Sequence, residues 1–172
     1  MPHSNTKQLI AAVSIGLAVL TGCSKSPPPT TEVDCMARAM YFESNRSSRD
    51  GMIAVGSIVM NRVQSDAFPD TVCGVVSQKN QFAPGVMTRE MEGRSALLAK
   101  VTALSVLEGE RHPNTANAKF FHAASYQAFY DNMHYVLTAG GNAFYEKRKP
   151  EHVTTSEPLR PTEGITGRQV TE

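Results

Sequence analysis

Glu43 stands where a helix should be apolar. Met36, Ala39, Met40 and Glu43 recur at spacings of three and four, so they share one helix face. That is the face a domain turns to its core. A carboxyl there has lost water on at least one side, and burial favours its neutral form. Tyr41 and Phe42 crowd it further. A carboxylic acid kept protonated near neutral pH is a proton donor, the equipment for cleaving a glycosidic bond. Charged residues are seldom fully buried. Periodicity alone therefore favours a plainer arrangement, in which Glu43 sits at a helix end and reaches solvent, or pairs with Arg38 or Arg46.

The elements that must position Glu43 follow from caps and periods. Asp34 can cap a first helix running to about Ser44, and Asn45 to Ser48 is a break. Ser47 or Ser48 caps a second helix with Met52, Val55, Val59 and Val63 inward. Gly51 and Gly56 weaken that helix and make sense where another backbone approaches closely. A short third helix spans Thr71 to Gln78, and Lys79 to Thr88 is loop or short strand. Ser95 to Glu108 is predicted as a helix with Leu97, Val101, Leu104 and Val106 or Leu107 inward. Ala118 to His122 and Asn142 to Tyr145 are short strands that can pair. Helices followed by a small strand pair give an α+β domain, mainly helical, with a late β-hairpin.

The ends of the chain say where the chemistry takes place. Residues 1–22 have the order of a secretory signal, with the uncharged apolar run Leu9 to Leu20 too short for a comfortable membrane span. Leu20-Thr21-Gly22-Cys23 resembles the bacterial lipoprotein cleavage motif, which marks Cys23 for lipidation. An ordinary signal peptide with a chance cysteine is the alternative. By resemblance to lipoprotein sorting, Ser24 after that cysteine favours an outer membrane, with the domain facing the periplasm. Residues 23–31 hold three consecutive prolines and read as an extended tether. Residues 32–146 form one domain, and residues 147–172, rich in charge, Pro, Gly and Thr, read as a disordered tail. Lys147, Arg148 and Lys149 are most simply a solvated run. A net charge of +1 argues against nucleic acid as a partner, and a monomer is expected.

With Cys23 lipidated, Cys35 and Cys73 remain. In an oxidising compartment two such thiols commonly join; two buried free thiols are the alternative.

The pattern Ala37-Arg38-Ala39, Tyr41-Phe42-Glu43, Gly51, Ala54-Val55, Asn61-Arg62-Val63, Phe68-Pro69, Cys73-Gly74-Val75-Val76 and Gln81-Phe82 resembles the cell wall hydrolase family that includes the spore-cortex-lytic enzymes of the SleB type. Phe120-Phe121-His122 and Gly141-Asn142-Ala143-Phe144-Tyr145 resemble its closing strands. The resemblance implies a lysozyme-like fold, peptidoglycan as substrate and Glu43 as the catalytic acid, and so reverses the plainer reading of Glu43. Two departures stand out. The family often reads Glu-Ala-Arg-Gly-Glu where this chain has Glu43-Ser44-Asn45-Arg46-Ser47, so the second carboxylate is absent. Exported members often carry a second cysteine pair around Gln81-Phe82, which this chain lacks.

Hydrolysis by retention or inversion normally uses two carboxylates. Only one lies in an apolar helical context here, which suits a lytic transglycosylase cutting the MurNAc–GlcNAc bond. Asp50, Asp66 or Asp70 would be the second carboxylate if water is used instead. Asn61, Gln81 and His122 are candidates to hydrogen-bond sugar, and Tyr41, Phe82 and Tyr145 candidates to stack on it. Each has a structural alternative: Asn61 capping a helix or bridging two helices, the aromatics in the core, His122 satisfied within its strand. Two rival functions remain. A metal-dependent amidase would use His112, His122 and His134, whose spacings match no compact ligand pattern, so no metal or cofactor is expected. A non-catalytic lipoprotein would bind the wall without cutting it.

Overall fold

The computed structural model describes residues 31–166 together with Met1. Cys23 and the proposed signal and tether lie outside the described residues, apart from Met1 and Thr31.

The first helix, α1 (Glu32–Glu43), is capped by Thr31, whose hydroxyl accepts from the Asp34 N–H at 3.2 Å. Asp34 therefore lies inside the helix it was expected to cap. Ser48 caps α2 (Arg49–Val63) by accepting from the Gly51 N–H at 2.9 Å. Thr71 caps the short α3 (Val72–Val76). The expected disulfide is present: Cys35 and Cys73 are bonded across a separation of 38 residues, tying α1 to α3. Closing a loop of that size stabilises by about 3–4 kcal/mol in the chain-entropy model.

The fourth helix, α4 (Gly93–Leu107), corrects the sequence reading. Ala99, Thr102, Ala103 and Val106 face inward, whereas Leu97, Val101 and Leu104 are 65, 53 and 46 % exposed. Both stripes have helical spacing. Close approach decides between them, because small residues let helix axes come together. A Cβ on Gly56 of α2 would lie 3.2 Å from the Val106 side chain and 2.4 Å from the Met40 methyl. Gly56 thus makes room for side chains, while Gly51 makes room for backbone: a Cβ there would lie 2.4 Å from the Gly140 Cα.

Three strands follow: β1 (Phe120–Ala123), β2 (Met133–Ala139) and β3 (Asn142–Lys147), in the antiparallel order β1-β3-β2. The expected pairing of the two late strands is the β1–β3 ladder. The hairpin itself is β2–β3, and β2 is an element the sequence reading missed. Its turn is Gly140-Gly141, both at positive φ (56° and 83°), the conformation two-residue hairpin turns demand.

Residues 147–166 are not the disordered tail expected. β2 is an edge strand, and an edge exposes unpaired N–H and C=O groups. The returning segment covers it: Tyr135 N–H donates to the Thr155 carbonyl and Thr162 N–H to the Thr138 carbonyl, both at 2.9 Å. Farther along, the Ile165 and Thr166 N–H groups donate to the buried Asp50 carboxylate at 2.8 and 2.7 Å.

The core joins the helices to one sheet face. Met36, Met40, Met52, Ile53, Ile58, Leu137 and Phe144 are its largest fully buried side chains.

Candidate active site

Glu43 is the last residue of α1 and is half-buried. Its carboxyl Oε1 accepts a hydrogen bond from the Ala83 N–H in the loop after α3. Its backbone carbonyl accepts from the Asn142 side-chain amide at 2.5 Å. The helix end is therefore held by β3 and the carboxyl by the loop. Burial raises the Glu43 carboxyl above its ordinary range, against the opposing pull of the Ala83 N–H and the Arg62 guanidinium.

Arg62 lies buried near the end of α2. Its Nε donates to the Lys119 carbonyl at 2.8 Å, and its guanidinium carbon sits 5.2 and 5.5 Å from the Phe68 and Phe82 ring centres. Burial pulls its pKa down to about 10, with the Tyr145 hydroxyl and the Glu43 carboxyl acting to raise it. It remains a cation throughout the working range, aimed at the site by aromatic packing. Glu43 does sit at a helix end and is partly open, as the plainer reading had it, but it pairs with neither Arg38 nor Arg46. Arg38 donates to the Val86 and Arg89 carbonyls, and Arg46 lies over the Tyr41 ring, 4.5 Å from its centre.

The other sequence candidates separate into two groups. Phe82, His122 and Tyr145 lie around Arg62 and the sheet. Phe82 is mostly core, 6.3 Å from the Phe121 ring. Tyr145 is half-buried and stacks on Phe120 at 5.6 Å. The His122 Nε2 lies 2.7 Å from the Tyr135 hydroxyl, and its Nδ1 lies 2.9 Å from the Ala123 carbonyl. Gln81 is exposed immediately before the Phe82–Ala83 segment. Tyr41 fulfils its structural alternative, and Asn61 takes a structural role of another kind, tying α2 to the loop before β1 in place of a helix bridge. The Asn61 amide donates to the Ala116 and Ala118 carbonyls at 3.0 and 2.8 Å. Tyr41 is buried, its hydroxyl accepting from the Glu92 N–H at 3.2 Å.

The proposed second carboxylates are placed elsewhere. Asp50 holds the returning segment. Burial acts to raise its carboxyl, but the Thr166 hydroxyl and the Ile165 and Thr166 N–H groups outweigh it and hold it below the ordinary range. Asp66 and Asp70 are exposed in the connection between α2 and α3. His112, His122 and His134 make separate contacts: His112 Nδ1 accepts from Asn114 N–H, and His134 Nδ1 from Thr154 N–H. Among the described residues, no group of three or more His, Cys, Asp or Glu is placed to hold a metal ion.

Arg62 and Asn142 stand within the motifs of the sequence, which assign neither of them a role at the site. A cation ending a helix otherwise lined with Val55 and Val59 was the available signal for Arg62. Nothing local marked Asn142 or the Ala83 N–H.

Four helices packed together beside a small antiparallel sheet, with a half-buried carboxyl at the end of a helix whose last carbonyl is held by β3, make this a lysozyme-like α+β domain. The Cell Wall Hydrolase family matches residues 46–145, and the chain belongs to that family. The match begins just after Glu43. The chain is 36 % identical over 72 residues to a spore cortex-lytic enzyme of Bacillus cereus, covering 42 % of this chain and 26 % of that one. It is 28 % identical over 72 residues to the Bacillus subtilis enzyme of the same name, covering 42 % and 22 %. This chain thus spans about a quarter of the length of those relatives. The catalytic domain of the germination-specific lytic transglycosylase SleB from Bacillus anthracis superposes with a TM-score of 0.56 at 26 % identity, over 72 % of this chain and all of that one. The Bacillus cereus SleB catalytic domain gives 0.55 at 25 % identity, over 73 % and 100 %.

Proposed function

We propose that this protein is a peptidoglycan lytic transglycosylase that cuts the MurNAc–GlcNAc bond with Glu43 as its one catalytic acid and base. The carrying observation is the Glu43 carboxyl: half-buried, raised by desolvation, oriented by the Ala83 N–H and within the field of the buried Arg62 cation. Family membership and the likeness to a lytic transglycosylase domain support the substrate class.

The protonated carboxyl gives its proton to the glycosidic oxygen as the C1–O bond breaks, freeing the 4-hydroxyl of the departing sugar. The resulting carboxylate then takes the proton of the muramyl C6 hydroxyl as O6 bonds to C1. The product is a 1,6-anhydro ring, no water is consumed, and Glu43 ends protonated as it began. Between the two transfers the charge of the nearby Arg62 guanidinium acts on the carboxylate and steadies it.

Mass spectrometry of fragments released from purified peptidoglycan tests this. Anhydro-muramic ends are expected. Reducing ends alone would require a second carboxylate to activate water, free stem peptides would point to an amidase, and binding without release to a scaffold. The reading extends to the envelope. Cys23 becomes the acylated N-terminus, placing the domain on a membrane facing the wall. Intact-mass analysis showing an unmodified chain cut elsewhere would refute that anchor.

A further inference from the structure

The proposed step at Glu43 leaves one aromatic surface of the molecule without a role. The sheet turns Phe121 and Phe144 toward the helices. Register places a row on its other face: Phe120 opposite Tyr145, and Tyr145 opposite Tyr135. His122 lies on that same face, 5.7 Å from the Tyr145 ring. The loop after β1 continues the row, with the Tyr126 ring edge-on to His122 at 5.4 Å. Beyond it the chain shows three aromatics to solvent: Tyr126, Phe129 and Tyr130 are 55, 91 and 69 % exposed.

This surface is continuous with the candidate site. The Ala83 N–H that holds Glu43 follows Phe82, Arg62 lies over the Phe82 and Phe68 rings, Phe68 packs 6.4 Å from Phe120, and Phe120 stacks on Tyr145 at 5.6 Å. Exposed aromatics clustered in one loop leave apolar area in water, which a folded domain rarely does without a partner. Tyrosine and phenylalanine rings match the C–H faces of pyranoses, while phenol hydroxyls and imidazole reach the sugar hydroxyls. Charge argues for this occupant over a membrane. From Ala124 to Asn132 the only charged residue is Asp131, and the cations of the adjoining strand are engaged, Lys147 over the Phe120 ring at 4.5 Å and Arg148 with the Glu146 carboxylate at 2.8 Å, so they are not free to draw an anionic lipid surface.

We infer that Tyr126, Phe129 and Tyr130 form a subsite for the glycan strand, gripping sugars beyond those at Glu43. The inference rests on the reading of Glu43 as a glycan-cleaving acid and names how that site holds a long polymer.

The full-length Glu43→Gln chain is pelleted with purified sacculi, with and without Tyr126→Ala, Phe129→Ala and Tyr130→Ala combined. Half-saturation should rise about tenfold or more in the combined variant. Phe129→Ala alone, at the most exposed ring, should weaken binding about threefold with the melting temperature unchanged, which separates binding from misfolding. Undiminished binding by both variants overturns the subsite, even where the native chain releases anhydro fragments and the Glu43 reading stands. Lost binding in a protein whose native form releases no fragments keeps the subsite and overturns that reading. Native protein that pellets with phosphatidylglycerol vesicles but not with sacculi overturns the subsite in favour of a lipid surface.

Discussion

The Asn142 side chain donates to the backbone carbonyl of Glu43 and leaves the carboxyl of Glu43 to the Ala83 N–H. Two groups that do not titrate thus orient the acid from two sides. Asn142→Ala leaves a part-buried carbonyl unpaired at the end of α1, which costs about 1–3 kcal/mol. Turnover should fall more than KM rises, because the acid is misaimed while the sugar surfaces persist. Steady-state kinetics on soluble glycan fragments, beside a thermal melt, measures both.

Glu43→Gln keeps the shape and the acceptor for Ala83 but removes the transferable proton. Turnover should drop by about 10²–10⁴, the usual weight of acid–base catalysis. Stability should move the other way. Burial raises the folded pKa of Glu43 above its ordinary value near 4.5, so the folded state binds the proton more tightly. That contribution is fully present below the ordinary pKa and is lost as pH rises through the raised one. Melting curves across pH should show the variant gaining on the native protein as pH climbs, and a constant gap would contradict a raised pKa.

Arg62→Met removes the cation that lowers the Glu43 pKa. The carboxyl should rise further, and the alkaline limb of the activity profile should move to higher pH. The lost bond to the Lys119 carbonyl should also destabilise by about 1–3 kcal/mol. A limb that stays put, or moves toward acid, would show that another charge tunes Glu43.

Asp50 has a folded pKa below its ordinary value of 3.8, so its stabilisation is present above that value and lost as pH falls through the folded pKa. Acid should therefore loosen residues 148–166. Asp50→Asn should do so at neutral pH, seen as faster amide exchange at Ile165 and Thr166. Protection unchanged in the variant would mean the segment is held by the β2 edge alone.

Much of the fold was legible because caps and periods are local. Thr71, Ser48 and the apolar face of α2 announce their helices within a few residues. α4 misled because two stripes share its period, and the choice depended on the distance to α1 and α2, which no window of sequence contains. β2 was missed although Gly140-Gly141 marked its turn. Burial along nearly its whole length removes the alternation that announces a half-exposed strand. The tail read as disorder because its composition cannot build a core; its order comes from an edge and a carboxylate more than a hundred residues away in the case of Asp50. At the site, Glu43 stood out as a charge on an apolar face. Its helpers are a backbone N–H and an amide brought in by long-range folding, so they left no such mark.

The Cys35–Cys73 bond also fixes where the domain is held mechanically. A pull through the chain preceding Thr31 arrives at the first turn of α1. There the disulfide and the Glu32 carboxylate, which accepts from the Val72 N–H at 2.8 Å, divert the load into α3. Glu43 lies eight positions beyond Cys35 along the helix. A pull from that side can therefore strain one end of α1 while the Glu43 carboxyl at the other end keeps its aim.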